Sequence, residues 1–349
     1  DLEVDYYDVY VSKFGYLTLV EEVFVQYGAN VVDFYLESAP SGIVSGTVTQ
    51  LGTGLPLEAT IKVYRADTGE LYTQVTSDTL SGGAYSVELP YFNYSMFVRS
   101  YHHIPETRGI TVDGATQTQD FVLEETLANI LVIDDLAAKG LEQVKLDKTG
   151  AVLATADPSN DKSSSELQTD LTTLGYDVTV ETAAATDPGT WFNYDFIVWA
   201  SGDNTSPAAD ATLRTALEDY VGMGGKLLIE GGELAYDAAS YPGYPTFAAN
   251  VLHANDWEHD SSGSVTVEDA THPVATVPNA LGPIAVTYDN YGDADSYIPE
   301  SDAHIVCDWS SYGGLASVLV YDDTPDPTSG QIVFYSFDYA SADAGRVAL

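Results

Sequence analysis

Carboxylates are the side chains in this sequence best placed to do chemistry. Asp134, Asp135, Asp203, Glu230 and Glu233 stand at or just beyond the ends of short apolar runs, and Asp338 is a further candidate of the same kind. If those runs are parallel strands of one sheet, their carboxyl ends share an edge and the acidic groups gather there. Hard oxygen ligands of this sort could hold calcium or magnesium. A second stretch, Asp289-Asn290-Tyr291-Gly292-Asp293-Ala294-Asp295, alternates oxygen-bearing side chains as calcium loops do, which makes Asp289, Asp293 and Asp295 candidate ligands. It has no Glu at the bidentate position of an EF-hand, so a plain turn is the competing reading. With 53 acidic residues in all, carboxylates will also fall in most loops without binding anything.

Other residue types carry weaker signals. His253, Asp256, Glu258, His259 and His272 are transition-metal ligand types, but their spacing matches no metal motif and surface loop residues account for them. His102 and His103 are adjacent on an expected strand, where alternation sends them to opposite faces and prevents them from sharing an ion. Cys307 sits in the apolar run Ile305-Val306-Cys307 and reads as a small buried hydrophobe rather than a nucleophile. As the single cysteine it excludes an intrachain disulfide and a cysteine-based zinc cluster. The 25 tyrosines could stack on sugars or simply fill strands.

The elements that must position these groups change along the chain. Sliding the sequence along itself by 87 residues pairs Tyr7 with Tyr94, Val11 with Val98, Val25 with Val112, Asp33-Phe34 with Asp120-Phe121, and Leu36-Glu37 with Leu123-Glu124. The second copy reads as short alternating strands, such as Val44 to Val48 and Thr60 to Tyr64, separated by turns at Ala66-Asp67-Thr68-Gly69 and Ser81-Gly82-Gly83. That is the pattern of an antiparallel β-sandwich. Residues 1–37 match only the last part of the unit, so the remaining strands are expected to precede Asp1 or to come from a partner.

From about residue 127 the pattern becomes α/β. Continuous apolar runs, Ile130 to Ile133, Phe196 to Trp199 and Leu227 to Ile229, predict strands buried on both faces, as in a mostly parallel sheet. Ser163 and Glu166 have capping-box spacing before a helix that Gly175 stops, and Ser206-Pro207 is expected to open a second helix running to Val221. Strands at Ile305 to Cys307, Ser317 to Tyr321 and Gln331 to Ser336 complete the sheet, with an irregular insertion between Tyr236 and Pro299. Ala340 to Leu349 reads as the first turns of a helix that runs off the chain.

Two resemblances attach to these patterns. Gly46-Thr47-Val48, Gly54-Leu55-Pro56-Leu57, Gly83-Ala84-Tyr85, the strand at Ser95 to Val98 and the closing Asp120-Phe121-Val122-Leu123 resemble the carboxypeptidase regulatory-like family, a transthyretin-type sandwich. The first copy keeps a Lys13-Phe14-Gly15-Tyr16 turn typical of that family, where the second has Ser100-Tyr101-His102-His103. The resemblance implies a spacer or adhesion module. Asn129 to Asp135, Leu174 to Val178, Tyr194 to Trp199, Gly224 to Ile229 and Thr271-His272-Pro273 resemble the class I glutamine amidotransferase-like fold, an α/β flavodoxin-like architecture, and particularly its trehalose-utilisation-like relatives and modules appended to secreted bacterial peptidases. An amidotransferase needs a cysteine on a sharp strand-to-helix elbow. Here Gly231-Gly232-Glu233-Leu234-Ala235 follows the strand, with Glu233 about where the cysteine would be, so that acyl chemistry is not expected.

Composition narrows the setting. Twelve basic against 53 acidic residues give a net charge of −41, which repels nucleic acid and anionic lipid headgroups. Such an excess suits extracellular, salty or calcium-containing water, where counterions screen charges over about 8–10 Å, and it fits a merely solubilising surface equally well. No run approaches the roughly 18–20 apolar residues of a membrane helix, and Asp1-Leu2-Glu3-Val4-Asp5 lacks the layout of a signal peptide, so a targeting signal is expected outside this stretch. The expected organisation is a partial sandwich repeat over 1–38, a complete sandwich over 39–126 and an amidotransferase-like domain over 127–349, cut in its last helix. The expected role is a non-catalytic structural, adhesive or accessory segment of a secreted or cell-surface protein, such as a fibre subunit or peptidase appendage. Its partners would be neighbouring domains of a longer chain or further copies, with calcium as the one candidate cofactor. A metal-dependent hydrolase at the acidic edge and a carbohydrate-binding module are the alternatives.

Overall fold

The computed structural model describes residues 2–135, 162–260, 263–277, 280–287, 294–322 and 330–348, and the backbone of 143–146 and 152–156. The chain divides into two compact units, Asp1–Glu125 and Thr126–Leu349.

In the first unit, β1 (Asp5–Val11) and β2 (Leu19–Val25) form a two-stranded antiparallel ribbon. One four-stranded sheet is built on β3 (Ser41–Gln50), with β6 (Ala84–Pro90) antiparallel to it and β9 (Thr116–Thr118) and β10 (Phe121–Leu123) parallel to it in succession. The other has the order β5 (Leu71–Thr76), β4 (Thr60–Arg65), β7 (Phe92–Arg99), β8 (Glu106–Val112). Alternation decides what is buried: Ile61 and Val63 on β4, Tyr94, Met96 and Val98 on β7, and Tyr85, Val87 and Leu89 on β6. Together with Val44, Val48, Phe121 and Leu123 they form one core between the sheets, each large side chain contributing about 1.5–3 kcal/mol by leaving water. The expected antiparallel sandwich is thus corrected to a mixed one, because the last two strands run alongside β3 in its own direction. His102 and His103 lie in a turn, not on a strand: the His103 amide donates to the Ser100 carbonyl and His102 takes φ 59°.

The second unit is organised by a parallel core. β11 (Asn129–Asp134), β14 (Asp177–Thr182), β15 (Phe196–Ala200), β16 (Lys226–Glu230) and β23 (Gln331–Tyr335) lie in the order β14-β11-β15-β16-β23, all parallel. β12 (Gln143–Leu146) and β13 (Val152–Ala156) pair with each other as a two-stranded antiparallel sheet. Beyond β23 the sheet continues antiparallel through β22 (Tyr312–Asp322), β21 (His304–Trp309), β18 (Gly263–Val267) and β19 (Ile284–Val286). β17 (Ala254–Asp260) pairs with β20 (Asp295–Pro299), which also meets β22. The insertion expected to be irregular therefore carries four strands among its described residues. Register shifts at Ala254/Asp256 and Trp257/His259 break the two-residue period that would have revealed β17.

Helix α1 (Ser163–Thr173) starts one residue earlier than its capping-box spacing predicts: Lys162 is the N-cap, without a side-chain cap, because the Ser163 hydroxyl is turned into the protein. Gly175 closes the segment at φ 97°. Helix α2 (Ala211–Gly222) opens on Asp210, which accepts from the Thr212 and Leu213 amides, rather than on Ser206-Pro207. The chain's last described segment forms two 3₁₀ turns, Tyr339–Ser341 and Ala344–Ala348, in place of the expected helix. Asp338 and Asp343 there accept from the amides of Ala340 and Gly345, two residues on, a local alternative to helical bonding.

Candidate functional site

Parallel strands do bring most of the predicted carboxylates toward one edge, but as parts of a buried hydrogen-bonded network. Glu230, the last residue of β16, is fully buried. Its Oε1 accepts from the Gly202 amide at 3.1 Å, and its Oε2 accepts from the Tyr339 amide at 2.9 Å and from the Ser163 hydroxyl at 3.2 Å. The same hydroxyl shares its one proton between Glu230 and Asp338 and accepts from the Ala340 amide at 3.2 Å. One carboxylate thereby ties together the loop after β15, the start of α1 and the turn after β23.

The neighbouring acids are also engaged. Asp134 Oδ2 accepts from the Ser164 hydroxyl at 3.0 Å, and Asp135 Oδ2 accepts from Asn204 Nδ2 at 2.5 Å. Asp203 is buried, and so is Glu233, with 1% of its surface exposed. Asp237, which the sequence reading passed over, is buried and accepts from the Ala208 amide at 3.2 Å. At the elbow Gly231 takes φ 153°, and a Cβ there would lie 2.7 Å from the Ser201 Cβ, which accounts for the glycine after Glu230. Among the described residues no group of three or more His, Cys, Asp or Glu side chains is placed to hold a metal ion.

The second predicted loop is described only in part. Asp289 and Asp293 lie outside the described residues. Asp295 is buried, and its carboxylate accepts from Trp257 Nε1 at 2.6 Å and from the Tyr236 amide at 3.0 Å, fixing β17 and the turn after the elbow. The histidines do not converge. His253 stacks on Tyr321 with centroids 3.8 Å apart, and its Nδ1 lies 3.2 Å from Asp302. His259 stacks on Tyr312 at 4.8 Å, and His272 Nδ1 accepts from the Val274 amide at 3.2 Å. Cys307 is buried in the sheet, and burial pushes its thiol up to about 12, with Asp308 adding to the shift. That leaves almost no thiolate at neutral pH.

Burial also raises the Asp338 carboxyl above its ordinary value; the Ser163 hydrogen bond opposes the shift and the Asp203 carboxylate reinforces it. A carboxyl with a raised folded pKa holds its proton in the folded state where the unfolded chain, at about 3.9, has lost it. Its contribution is therefore present below the unfolded value and is lost as pH rises through the folded one. The urea midpoint of the second unit should fall less steeply from pH 4 upward in Asp338→Asn than in the parent. Parallel slopes in the two proteins would show that Asp338 does not titrate in this way.

No protein-family model and no curated protein matches the sequence. Among solved structures, the Bacillus anthracis TIE protein is similar at 16% identity over 40% of this chain and 29% of its own, with a TM-score of 0.23. GBS52, the minor pilin of Streptococcus agalactiae, is similar at 10% identity over 32% of this chain and 55% of its own, at 0.25. The 3-chlorocatechol 1,2-dioxygenase of Rhodococcus opacus is similar at 9% identity over 25% of this chain and 60% of its own, at 0.22. The chain spans less than two thirds of each of these proteins, and likeness at such TM-scores carries no argument about what it does.

Proposed function

We propose that this chain is a non-catalytic structural or adhesive segment of a large secreted or cell-surface protein. The observation that carries the reading is the closed elbow: Glu230 is fully buried and Glu233 is 1% exposed. A nucleophile, or the water on a catalytic metal, must meet substrate. Glu230 instead meets backbone N–H groups and a serine hydroxyl. The order β14-β11-β15-β16-β23 is the 2-1-3-4-5 order of flavodoxin-like sheets and supports descent from an amidotransferase-like fold. The mixed sandwich supports a regulatory-like spacer preceding it. In this reading the −41 net charge is tolerated by extracellular counterions, calcium among them, and the partners are neighbouring domains or further copies.

Glu233→Gln tests the proposal. The purified chain, assayed against amide, ester and glycoside substrates with and without calcium, should show no turnover above the buffer blank. The substitution should lower the thermal midpoint of the second unit by about 2–4 °C, as expected for ~1 kcal/mol lost from a unit of this size. Turnover that disappears in Glu233→Gln while the midpoint stays in place would sink the structural reading and restore a hydrolase.

A further inference from the structure

The β1–β2 ribbon repeats the last hairpin of the sandwich pair by pair. In the sandwich Phe92 pairs with Val112 and Val98 with Glu106; in the ribbon Asp5 pairs with Val25 and Val11 with Leu19, the same register 87 residues earlier. The connections repeat as well. The Ile104 amide donates to the Glu124 carbonyl at 2.8 Å, and the Leu17 amide donates to Glu37 at 2.8 Å. The bridge between His103 and Glu125 has its counterpart between Tyr16 and Ser38. Such agreement fixes which face of the ribbon corresponds to the sandwich interior. Tyr94, Met96, Val98, Ile110 and Val112 are buried in the core, and their counterparts are Tyr7, Val9, Val11, Val23 and Val25.

Those five counterparts are apolar yet only half-buried. Leu2, the counterpart of the fully buried Leu89, is 66% exposed. Phe34 and Leu36 correspond to Phe121 and Leu123 of β10, which in the sandwich run parallel to β3; residues 34–36 form no strand. Each counterpart of a buried core position thus keeps an apolar side chain, whereas Asp5 replaces the partly buried Phe92 at the end of the strand, and the sheet itself is not among the described residues.

We infer that this face of the first unit is a docking surface for strands of the type formed by residues 41–90: a β3- and β6-like sheet laid across the face with its β3-like strand beside 34–36, and a β4-like strand extending the edge of β1 that β2 leaves open. The occupant is recognised by its chemistry: an alternating strand pair with an inner row equivalent to Val44, Val48, Tyr85, Val87 and Leu89. Covering this face withdraws the remaining apolar surface of these half-buried side chains from water, which favours docking. The mode is strand addition with a paired apolar face.

A direct probe fuses a second copy of residues 38–87 ahead of Asp1, which completes one 87-residue unit. Hydrogen exchange of the β1 amides should slow at least ten-fold in the fusion, and binding of an apolar dye should drop. Val9→Asp with Val25→Asp should abolish the gain, whereas Tyr10→Asp on the opposite face should preserve it. A second fusion carrying Val9→Met and Val23→Ile restores side chains of the other core and guards against a mispacked joint. Unchanged exchange in both fusions overturns the inference. It is overturned too if light scattering shows the unfused chain forming a dimer that gives β1 the same protection, since a second copy would then be the occupant.

Discussion

Gly46→Ala should unfold the first unit at a temperature lower by on the order of 10 °C. Gly46 lies on β3 where β9 ends and β10 begins, and a Cβ there would stand 1.9 Å from the Gln119 carbonyl oxygen and 2.6 Å from its carbon. Both contacts are backbone, so no rotamer change relieves them. The close approach is held by several bonds: the Gln119 amide donates to the Ser45 carbonyl at 2.8 Å, the Tyr85 hydroxyl donates to the Gln119 carbonyl at 2.6 Å, and the Thr47 amide donates to Asp120 at 2.8 Å. Forcing the strands apart strains these bonds and loosens Phe121 and Leu123, which anchor β10 in the core. Overpacking of this kind costs about 1–3 kcal/mol and more where backbone must move. A drop under 2 °C by differential scanning calorimetry would show that β9 and β10 can withdraw without loss. Gly69→Ala is a useful contrast: its Cβ meets nothing within 4 Å, and only the φ of 72° penalises it.

Gly46 also shows how much of the fold was legible. The strands β3 and β4, their turns and the 87-residue repeat follow from alternation and glycine placement, both local features of the sequence. That β9 and β10 run parallel to β3 does not, because direction within a sheet depends on long-range pairing. The apolar strands β11, β15 and β16 were legible because burial on both faces removes polar interruptions. β17 was not, since its bulges spoil the period and its Asp256, Glu258 and His259 look like loop residues. That Asp134 and Glu230 end strands of one parallel sheet was legible from the apolar runs before them. What Asp134, Asp135 and Glu230 do there was not, because their partners are the amides of Gly202 and Tyr339, the Asn204 side chain and the hydroxyls of Ser163 and Ser164, and no residue type announces those contacts. Ser163 is the instructive case: its spacing to Glu166 predicts a cap, and tertiary bonds to Glu230 and Asp338 take the hydroxyl instead.

Glu230→Ala should cost the second unit about 3–5 kcal/mol, the largest single effect expected there. Removing the carboxylate strips acceptors from the Gly202 and Tyr339 amides and from one bond of the Ser163 hydroxyl, all in buried surroundings. A buried donor left without a partner costs about 1–3 kcal/mol, and the space vacated adds to it. For a unit of this size each kcal/mol moves the midpoint by about 2–4 °C, so a fall near 10 °C is expected. Glu230→Gln keeps the shape and one acceptor but turns an amide N–H₂ toward a donor, and should fall between the two. Midpoints alone would not separate loss of this network from general loosening of the core. Amide exchange does: Gly202 and Tyr339 should lose protection at least ten-fold in Glu230→Ala, while Leu131 and Ile197 in the neighbouring strands should change only as far as global stability falls. If Gly202 and Tyr339 stay as protected as before, the carboxylate is not what closes the elbow, and the case against a catalytic edge loses its footing.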